Sequence, residues 1–220
     1  MRPVRRLLCF VLLLALVGTG AALAARGDPQ KKVTTADQAR AKAMLLRKAD
    51  FAPGVKATPP SRNESDFYCE ALDESDLTLT GEAESPDFGT TPFFVTSLAS
   101  VYRSVSDSNT SWRRGTSAAG VNCAAGEFRR LAREERWQFV SLKRISFPRL
   151  AKRSVAYRVV FTVPVGNERG RITIDLIALQ DGRAQAALFY GAVVLAPPKA
   201  DEVALARIIA GRMAKAMRGA

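Results

Sequence analysis

The sequence predicts a single α+β domain in which N-terminal, middle and C-terminal helices flank a twisted antiparallel β-sheet. Alternating apolar and polar residues over 155–163 and 172–190 indicate strands that each have one core face. Asp181-Gly182, which separates two alternating runs, is typical of a two-residue type I′ hairpin turn. Apolar residues at helical spacing near both ends of the chain predict the flanking helices.

The first third of this domain is predicted to contain one helix and one strand. Thr34 or Thr35 supplies an N-cap for a helix that runs to about residue 48. Pro53-Gly54 breaks the helical pattern shortly afterwards. Residues 77–83 alternate in polarity and predict a strand that ends before Pro86.

The middle third is predicted to contain a further strand and two helices. Residues 92–105 fit either a strand or a helix, and their β-branched and aromatic side chains favour the strand. Helices are predicted over 107–114 and 122–135. A strand over 139–147 follows, and its alternation fails at Lys143-Arg144, which predicts a bulge there.

The Asp181-Gly182 hairpin predicts which side chains lie on each side of the last two strands. Its two-residue turn pairs Leu179 with Ala184 and places Ile174 with Phe189 on a core face. Asp175 and Tyr190 then lie on the opposite face, which we expect to be partly hydrated. A terminal helix over 201–218 is expected from acidic residues at its start and basic residues at its end.

The first 24 residues have the pattern of a secretory signal peptide. Arg2, Arg5 and Arg6 precede a short apolar run over 7–17, and Ala22-Leu23-Ala24 fits a cleavage site. We expect cleavage near Ala24, a secreted or extracytoplasmic location and no stable membrane span afterwards; an uncleaved anchor is the alternative. Residues 25–34 are polar and are predicted to be a flexible spacer before a domain over 35–218.

Cysteine usage agrees with export. Cleavage of the signal removes Cys9 and leaves Cys69 and Cys123, which are predicted to form a disulfide in an oxidising compartment. The chain has no histidine. Zinc is therefore not expected on two thiols alone, and no cofactor is predicted.

The missing histidine also excludes Ser-His-Asp and Cys-His catalysis. No catalytic and no metal-binding residue is predicted. Acidic residues between positions 64 and 87 leave open a carboxylate-dependent hydrolase of envelope polymers, and Asp73 with Asp76 leaves open a calcium site. We expect these carboxylates to belong to a solvated surface.

Charge is distributed unevenly along a chain with a net charge of +12. Residues 61–87 are strongly acidic and residues 113–153 strongly basic, which indicates either mutual neutralisation or two surfaces with different partners. The second alternative predicts a rim that binds an anionic amphiphile or envelope polymer, and nucleic acid is not expected. The basic rim would contain Arg129, Arg130, Arg133, Lys143 and Arg144.

A ligand cleft is the function that these patterns suggest. Asp175 and Tyr190 would form its floor, with Trp112 or Trp137 as a wall. In that case the ligand is an amphiphile with an anionic head. The alternatives are that the final helix covers this face and that both tryptophans are core residues.

The order of motifs resembles the extracytoplasmic sensor domain of actinobacterial receptor Ser/Thr protein kinases and its free-standing secreted or lipoprotein relatives. The resemblance covers residues 35–218 and is carried by Leu45-Leu46-x-x-x-Asp50-Phe51-x-Pro53-Gly54, Cys69, Trp112 and Cys123. It implies an antiparallel sheet flanked by helices and a cleft for an unidentified ligand. We therefore expect a secreted, non-catalytic binding module of the cell envelope; a hydrolase or a purely structural protein is the alternative.

Overall fold

The computed structural model describes residues 27–60, 68–166 and 168–218. Within these ranges the chain forms nine β-strands and four α-helices. In chain order they are β1 (Gln30–Lys31), α1 (Thr35–Met44), β2 (Lys56–Thr58), β3 (Thr78–Glu84), β4 (Asp87–Thr90), β5 (Phe93–Tyr102), α2 (Val105–Thr116), α3 (Ala118–Glu134), β6 (Gln138–Ile145), β7 (Arg153–Val165), β8 (Glu168–Asp181), β9 (Ala184–Val193) and α4 (Lys199–Ala216). The predicted signal peptide lies outside the described residues.

All nine strands belong to one sheet with the order β1-β3-β5-β9-β8-β7-β6. β4 pairs with β5, and β2 pairs with β4. The fold class is confirmed as α+β. Every strand pair is antiparallel except β1 with β3, which is parallel, so the sheet is mixed rather than purely antiparallel.

Residues 27–34 differ from the predicted flexible spacer because they form an edge of this sheet. The Gln30 amide donates to the Leu77 carbonyl at 2.9 Å, which extends the ladder by one short strand. The Thr34 hydroxyl then accepts from the Asp37 amide at 3.1 Å and caps α1. Backbone pairing, which a polar composition does not reveal, holds this segment.

Serine caps explain why both middle helices begin earlier than predicted. The Ser104 hydroxyl accepts from the Asp107 amide at 3.0 Å at the start of α2. Ser117 does the same for Gly120 at 3.0 Å, so α3 begins directly after α2 ends. The first helix, by contrast, ends at Met44, four residues before the predicted end.

The hairpin between β8 and β9 has a different register from the predicted one. Asp181 pairs with Ala184, so the turn is Gly182-Arg183 and Leu179 lies opposite Ala186. The Arg183 guanidinium donates to Asp37 of α1 at 3.0 Å, which holds this residue beyond the strand end. Because the turn moves by one residue, each pair changes by two positions and every side chain keeps its predicted face. The bulge in β6 likewise lies between Phe139 and Ser141, not at Lys143-Arg144.

Helices cover the two faces of the sheet differently. α1 and α4 pack on the face that carries Val101, Ile177 and Leu188, here called the α4 face. α3 packs on the opposite face, here called the α3 face. Its core contains Phe94, Phe128, Ala132, Val159, Phe161, Val163, Ile172 and Ile174.

One glycine on β9 permits a close aromatic contact on the α3 face. Gly191 lies opposite Phe94 of β5. A Cβ atom at Gly191 would lie 1.7 Å from the Phe94 ring, so the ring occupies the space of the missing side chain. The Phe94 ring can pack directly against β9 only because residue 191 is glycine and has no side chain.

The predicted disulfide between Cys69 and Cys123 is confirmed, with a Cα–Cα distance of 6.4 Å. It joins the segment before β3 to α3 across 54 positions of sequence. A structural disulfide is compatible with an extracellular protein. Within the described residues, none of the helices combines the length and the apolar character that crossing a membrane requires.

Candidate functional site

Two adjoining clefts open near the end of the sheet where β5 begins and β9 ends. The inner cleft has a volume of about 360 Å³ and lies between residues 50–55, β4, β5, β9 and the first turns of α4. The outer cleft also has a volume of about 360 Å³ and lies between β2, β4 and the start of β5. Gly89, Thr90 and Phe93 line both, so the two clefts adjoin at these residues.

Aromatic side chains from separate elements form the walls of the inner cleft. Phe51 packs against Phe88 of β4 with ring centroids 4.5 Å apart. Phe93 of β5 meets Tyr190 of β9 edge to face, with centroids 6.0 Å apart. Strand pairing fixes the second contact. Val95 lies directly opposite Tyr190, and Phe93 lies opposite Ala192, so Phe93 and Tyr190 are diagonal neighbours on one face of the sheet.

An ion pair fixes the segment that carries Phe51. The Asp50 carboxylate accepts from both terminal nitrogens of Arg212 on α4, at 2.6 and 2.7 Å. It also accepts from the Arg47 amide at 2.7 Å. These contacts lower the pKa of Asp50 against the effect of its burial, and they tie one wall of the cleft to α4.

Tyr190 and Asp201 supply the polar end of the inner cleft. The Tyr190 hydroxyl donates to the Asp201 carboxylate over a long 3.5 Å. Burial, together with the nearby Asp201 charge, raises the pKa of Tyr190 to about 12. The phenol therefore keeps its proton at neutral pH, while Asp201 is exposed in the first turn of α4.

Asp87 and Lys56 are the charged residues of the outer cleft. Asp87 is buried, and its burial raises its pKa to about 7 because the hydrogen bond with Thr96 offsets only part of the effect. Lys56 is exposed on neighbouring β2, where it lies opposite Gly89. A carboxyl group with this pKa can both donate and accept a proton near neutral pH.

Two buried acids lie where α4 packs on the sheet. Asp175 of β8 is 0% exposed and accepts two hydrogen bonds from Arg158 of β7, at 2.7 and 2.6 Å. Glu202 of α4 is also fully buried. Burial and the neighbouring Asp175 raise the pKa of Glu202 to about 8, although the Lys199 amino group lies 3.5 Å away. Glu202 is therefore mainly protonated at neutral pH.

Of the four residues predicted for the ligand cleft, Tyr190 is the one that lines either of the two clefts described above. The expectation of a hydrated face around Asp175 and Tyr190 is wrong, since these residues are 0% and 5% exposed. They lie on one face of the sheet as predicted, although the observed register pairs Asp175 directly with Tyr190, and α4 covers them. Trp137 packs against Phe161 on the α3 face, and Trp112 is half-buried in α2.

The five residues of the predicted basic rim lie on α3 and β6. Neither cleft includes any of them among its described lining residues. Arg130 is paired with Glu127 and Glu134, and Arg129 stacks over Phe139 at 4.9 Å. Arg133, Lys143 and Arg144 are exposed, with Lys143 opposite Arg158 and Arg144 opposite Tyr157 on alternate faces of the edge strand. The basic residues therefore lie apart from the described lining of both clefts. The exposed residues Arg133 of α3 and Arg144, on the α3 face of β6, are here called the basic area.

Several cleft residues carry no signal in the sequence that could identify them. Phe93 lies in an ordinary alternating strand, and Asp201 looks like a helix-start acid. Phe51 stands out only through the Asp50-Phe51-x-Pro53-Gly54 resemblance. Distant segments meet in the clefts, so their selection needs the tertiary structure. Among the described residues there is no group of three or more side chains suited to hold a metal ion.

A scan against protein-family models finds no match, and a search of the curated proteins finds no significant relative. The resemblance to extracytoplasmic kinase sensor domains accordingly remains a prediction. The clefts and their side chains are thus the observations from which function is inferred.

Proposed function

We propose that this chain is an exported, non-catalytic binding module of the cell envelope, similar in role to the sensor domains that its motifs resemble. One observation carries the proposal. Four aromatic side chains from separate elements surround an inner cleft of about 360 Å³ that contains few polar groups. Small-molecule sites are concave and mostly apolar in this way, with a few polar groups to fix orientation.

The walls of the inner cleft are preorganised, which favours binding. Phe93 and Tyr190 belong to paired strands in the interior of the sheet. Phe51 lies beside the Asp50–Arg212 ion pair, which anchors its segment to α4. A ligand therefore loses little affinity to ordering of the protein.

Export is proposed on the pattern of residues 1–24 together with the disulfide. The Cys69–Cys123 bond would persist in an oxidising compartment and contribute stability there. Mass spectrometry of the mature protein should find an N-terminus near residue 25 and no free thiol.

The binding role is tested by NMR with a mixture of small apolar and amphipathic fragments. We expect chemical-shift changes to cluster at Phe51, Phe93 and Tyr190. Phe93→Ala should weaken the binding of these fragments. Val140→Ala, a substitution of an exposed residue on β6, should leave their binding unchanged. Changes confined to other surfaces, or none with any fragment, would contradict the proposal.

A second candidate, a carboxylate-dependent hydrolase of envelope polymers, is favoured by Asp87. Its carboxyl group lies in the outer cleft with a pKa of about 7, as a general acid requires. Wild-type protein should then hydrolyse envelope polysaccharide, and Asp87→Asn should lose about 100-fold or more of that rate. Absence of turnover by the wild type would leave binding as the function of both clefts.

The basic area on α3 and β6 supports a separate proposal for the anionic partner. Arg133 and Arg144 are exposed there, away from the described lining of both clefts. An anionic envelope polymer or lipid surface is therefore proposed for this area, and a small ligand for the inner cleft. The predicted single site for both parts of an anionic amphiphile has no support in this arrangement.

A further inference from the structure

We propose that the inner cleft binds an organic cation whose nitrogen carries alkyl groups, a quaternary or tertiary ammonium ion. The cation would lie among Phe51, Phe93 and Tyr190, with the Asp201 carboxylate as its counter-ion. This inference rests on the proposed binding function and specifies the ligand class for the same site.

The arrangement of the rings is the first argument. Phe51 with Phe88 and Phe93 with Tyr190 place two aromatic pairs, from a loop and three strands, around one cavity. The face of an aromatic ring attracts a cation through its quadrupole, and this attraction grows when water is excluded. Several rings around one cavity form the kind of cage that recognises alkylated ammonium groups.

The sign of the charge in the cleft is the second argument. Its described lining contains two acidic residues, Asp50 and Asp201, and no lysine or arginine, although the whole chain has a net charge of +12. Arg212 neutralises Asp50. Among the described residues, the Asp201 carboxylate accepts one side-chain hydrogen bond, the long one from Tyr190. A carboxylate in this position favours a positive ligand and disfavours an anionic one.

Lys199, a cationic residue at the start of α4, is held by contacts outside the inner cleft. The Lys199 amino group donates to the Ser146 carbonyl at 2.8 Å and lies 4.3 Å from the Phe147 ring. It also faces Glu202 at 3.5 Å. Lys199 is not among the residues that line the inner cleft, so it does not occupy the place of the proposed ligand.

Alkylation of the nitrogen follows from the scarcity of acceptors. A primary ammonium has three N–H donors, each of which needs an acceptor once water is removed. The polar side chains of the cleft other than the neutralised Asp50 are Thr90, Tyr190 and Asp201, and the Tyr190 hydroxyl already donates to Asp201. Methyl groups on nitrogen need no acceptor and gain from contact with the rings.

The experiment compares choline with 3,3-dimethylbutan-1-ol, its uncharged carbon isostere, by NMR titration of the mature protein. Choline and tetramethylammonium should shift resonances at Phe51, Phe93 and Tyr190. The alcohol should bind about tenfold more weakly or worse, because it lacks the charge. Asp201→Asn should weaken choline about fivefold or more and leave the alcohol unchanged. Glu135→Gln, a change of an exposed acid at the end of α3, is the matched control.

The outcomes separate this inference from the binding function. Equal affinity for choline and the alcohol would overturn the cation proposal and support a purely apolar site. The cation proposal would also be overturned if neutral fragments bind the cleft and neither choline nor tetramethylammonium does. Both proposals would be contradicted if none of the fragments, the two ammonium ions or the alcohol changes the chemical shifts of the cleft residues. The thermal melting temperature of Asp201→Asn, measured in parallel, identifies a variant that has failed to fold.

Discussion

The two faces of the sheet are covered by helices that are held in different ways. On the α3 face, Phe128, Phe139 and Trp137 all contact the ring of Phe161 at centroid distances of about 6 Å. On the α4 face, apolar packing is combined with the buried Arg158–Asp175 ion pair and the neighbouring Glu202. Both clefts have polar residues in their lining, and the inner cleft lies against the first turns of α4.

This difference indicates where the fold can accommodate a ligand. Rings that pack against one another fill the space between α3 and the sheet, as close packing requires. The first turn of α4 contains Asp201, whose exposed carboxylate leaves the start of the helix open to solvent beside the aromatic side chains. A cavity therefore remains where α4 begins, bounded by Phe51, Phe93 and Tyr190. The inner cleft is therefore a feature of the α4 face, between the sheet and the start of α4.

The largest effect is expected from removing the central ring of the α3 face. Phe161→Ala should destabilise the protein by about 3–5 kcal/mol, because it leaves a cavity among three rings. Urea unfolding of the wild type and the variant measures this loss. NMR shifts of the inner cleft should stay unchanged, and movement of the Tyr190 resonance would show that the two faces are not independent.

Removing one partner of the buried ion pair should have a similar or slightly smaller effect on the α4 face. Arg158→Met leaves the fully buried Asp175 without its bidentate partner, and loss of one partner of such a pair costs about 3–5 kcal/mol. The double variant Arg158→Met/Asp175→Leu should recover most of this loss, as measured by urea unfolding. No recovery would mean that the ion pair holds α4 by more than mutual neutralisation.

Glu202 should make the stability of the protein depend on pH through the α4 face. Its pKa is about 8 in the folded protein and 4.5 in an unfolded chain, so the folded state binds the proton more tightly. The stabilisation is present in full below pH 4.5 and is lost as the pH rises through 8. Glu202→Gln should abolish this loss, which is at most about 1.4 kcal/mol per pH unit.

Melting temperatures of both proteins from pH 5 to 9 test this sign. Glu82 and Asp87 also have raised pKa values, so only the difference between wild type and Glu202→Gln is diagnostic. Parallel curves would exclude Glu202 as a source of the pH dependence.

The smallest effect is expected outside the cores of both faces, at the basic area of α3 and β6. Wild-type protein should bind anionic vesicles more weakly as salt rises, since exposed charges are screened beyond about 10 Å at 0.1 M salt. Arg133→Gln and Arg144→Gln should each cost about 1 kcal/mol of that binding. Arg103→Gln, a change of an exposed arginine before α2, is the control. Equal binding to neutral and anionic vesicles would remove the proposal.

Local patterns in the sequence predict the fold class but not the details that depend on distant contacts. Alternation correctly placed Asp175 and Tyr190 on one face, because strand parity is a local property. The position of the turn depends on Arg183 reaching Asp37, which lies 146 positions earlier in the chain. Burial of Asp175 depends on the docking of α4 and on Arg158. Neither contact has a counterpart in local polarity.

The candidate site was harder to predict than the fold for the same reason. Tyr190 was selected because of its position on a strand face, whereas Phe51 and Phe93 were not selected as cleft residues. Their rings meet in one cavity only because residues 50–55 are anchored to α4 by Arg212. Both tryptophans are candidate cleft walls in the sequence, and Trp137 is partly buried against the core of the α3 face.

The close contact at Gly191 means that the side-chain sizes tolerated at positions 94 and 191 depend on each other. Phe94 lines the outer cleft, and its ring occupies the space that a methyl group on residue 191 would fill. Alanine at position 191 would displace the Phe94 ring, which lies on the same face of the sheet as the added methyl group, and would thereby change the lining of the outer cleft. A smaller residue at position 94 would make the same alanine tolerable. The shape of the outer cleft thus depends on a residue of β9 that is not among the described lining residues of that cleft.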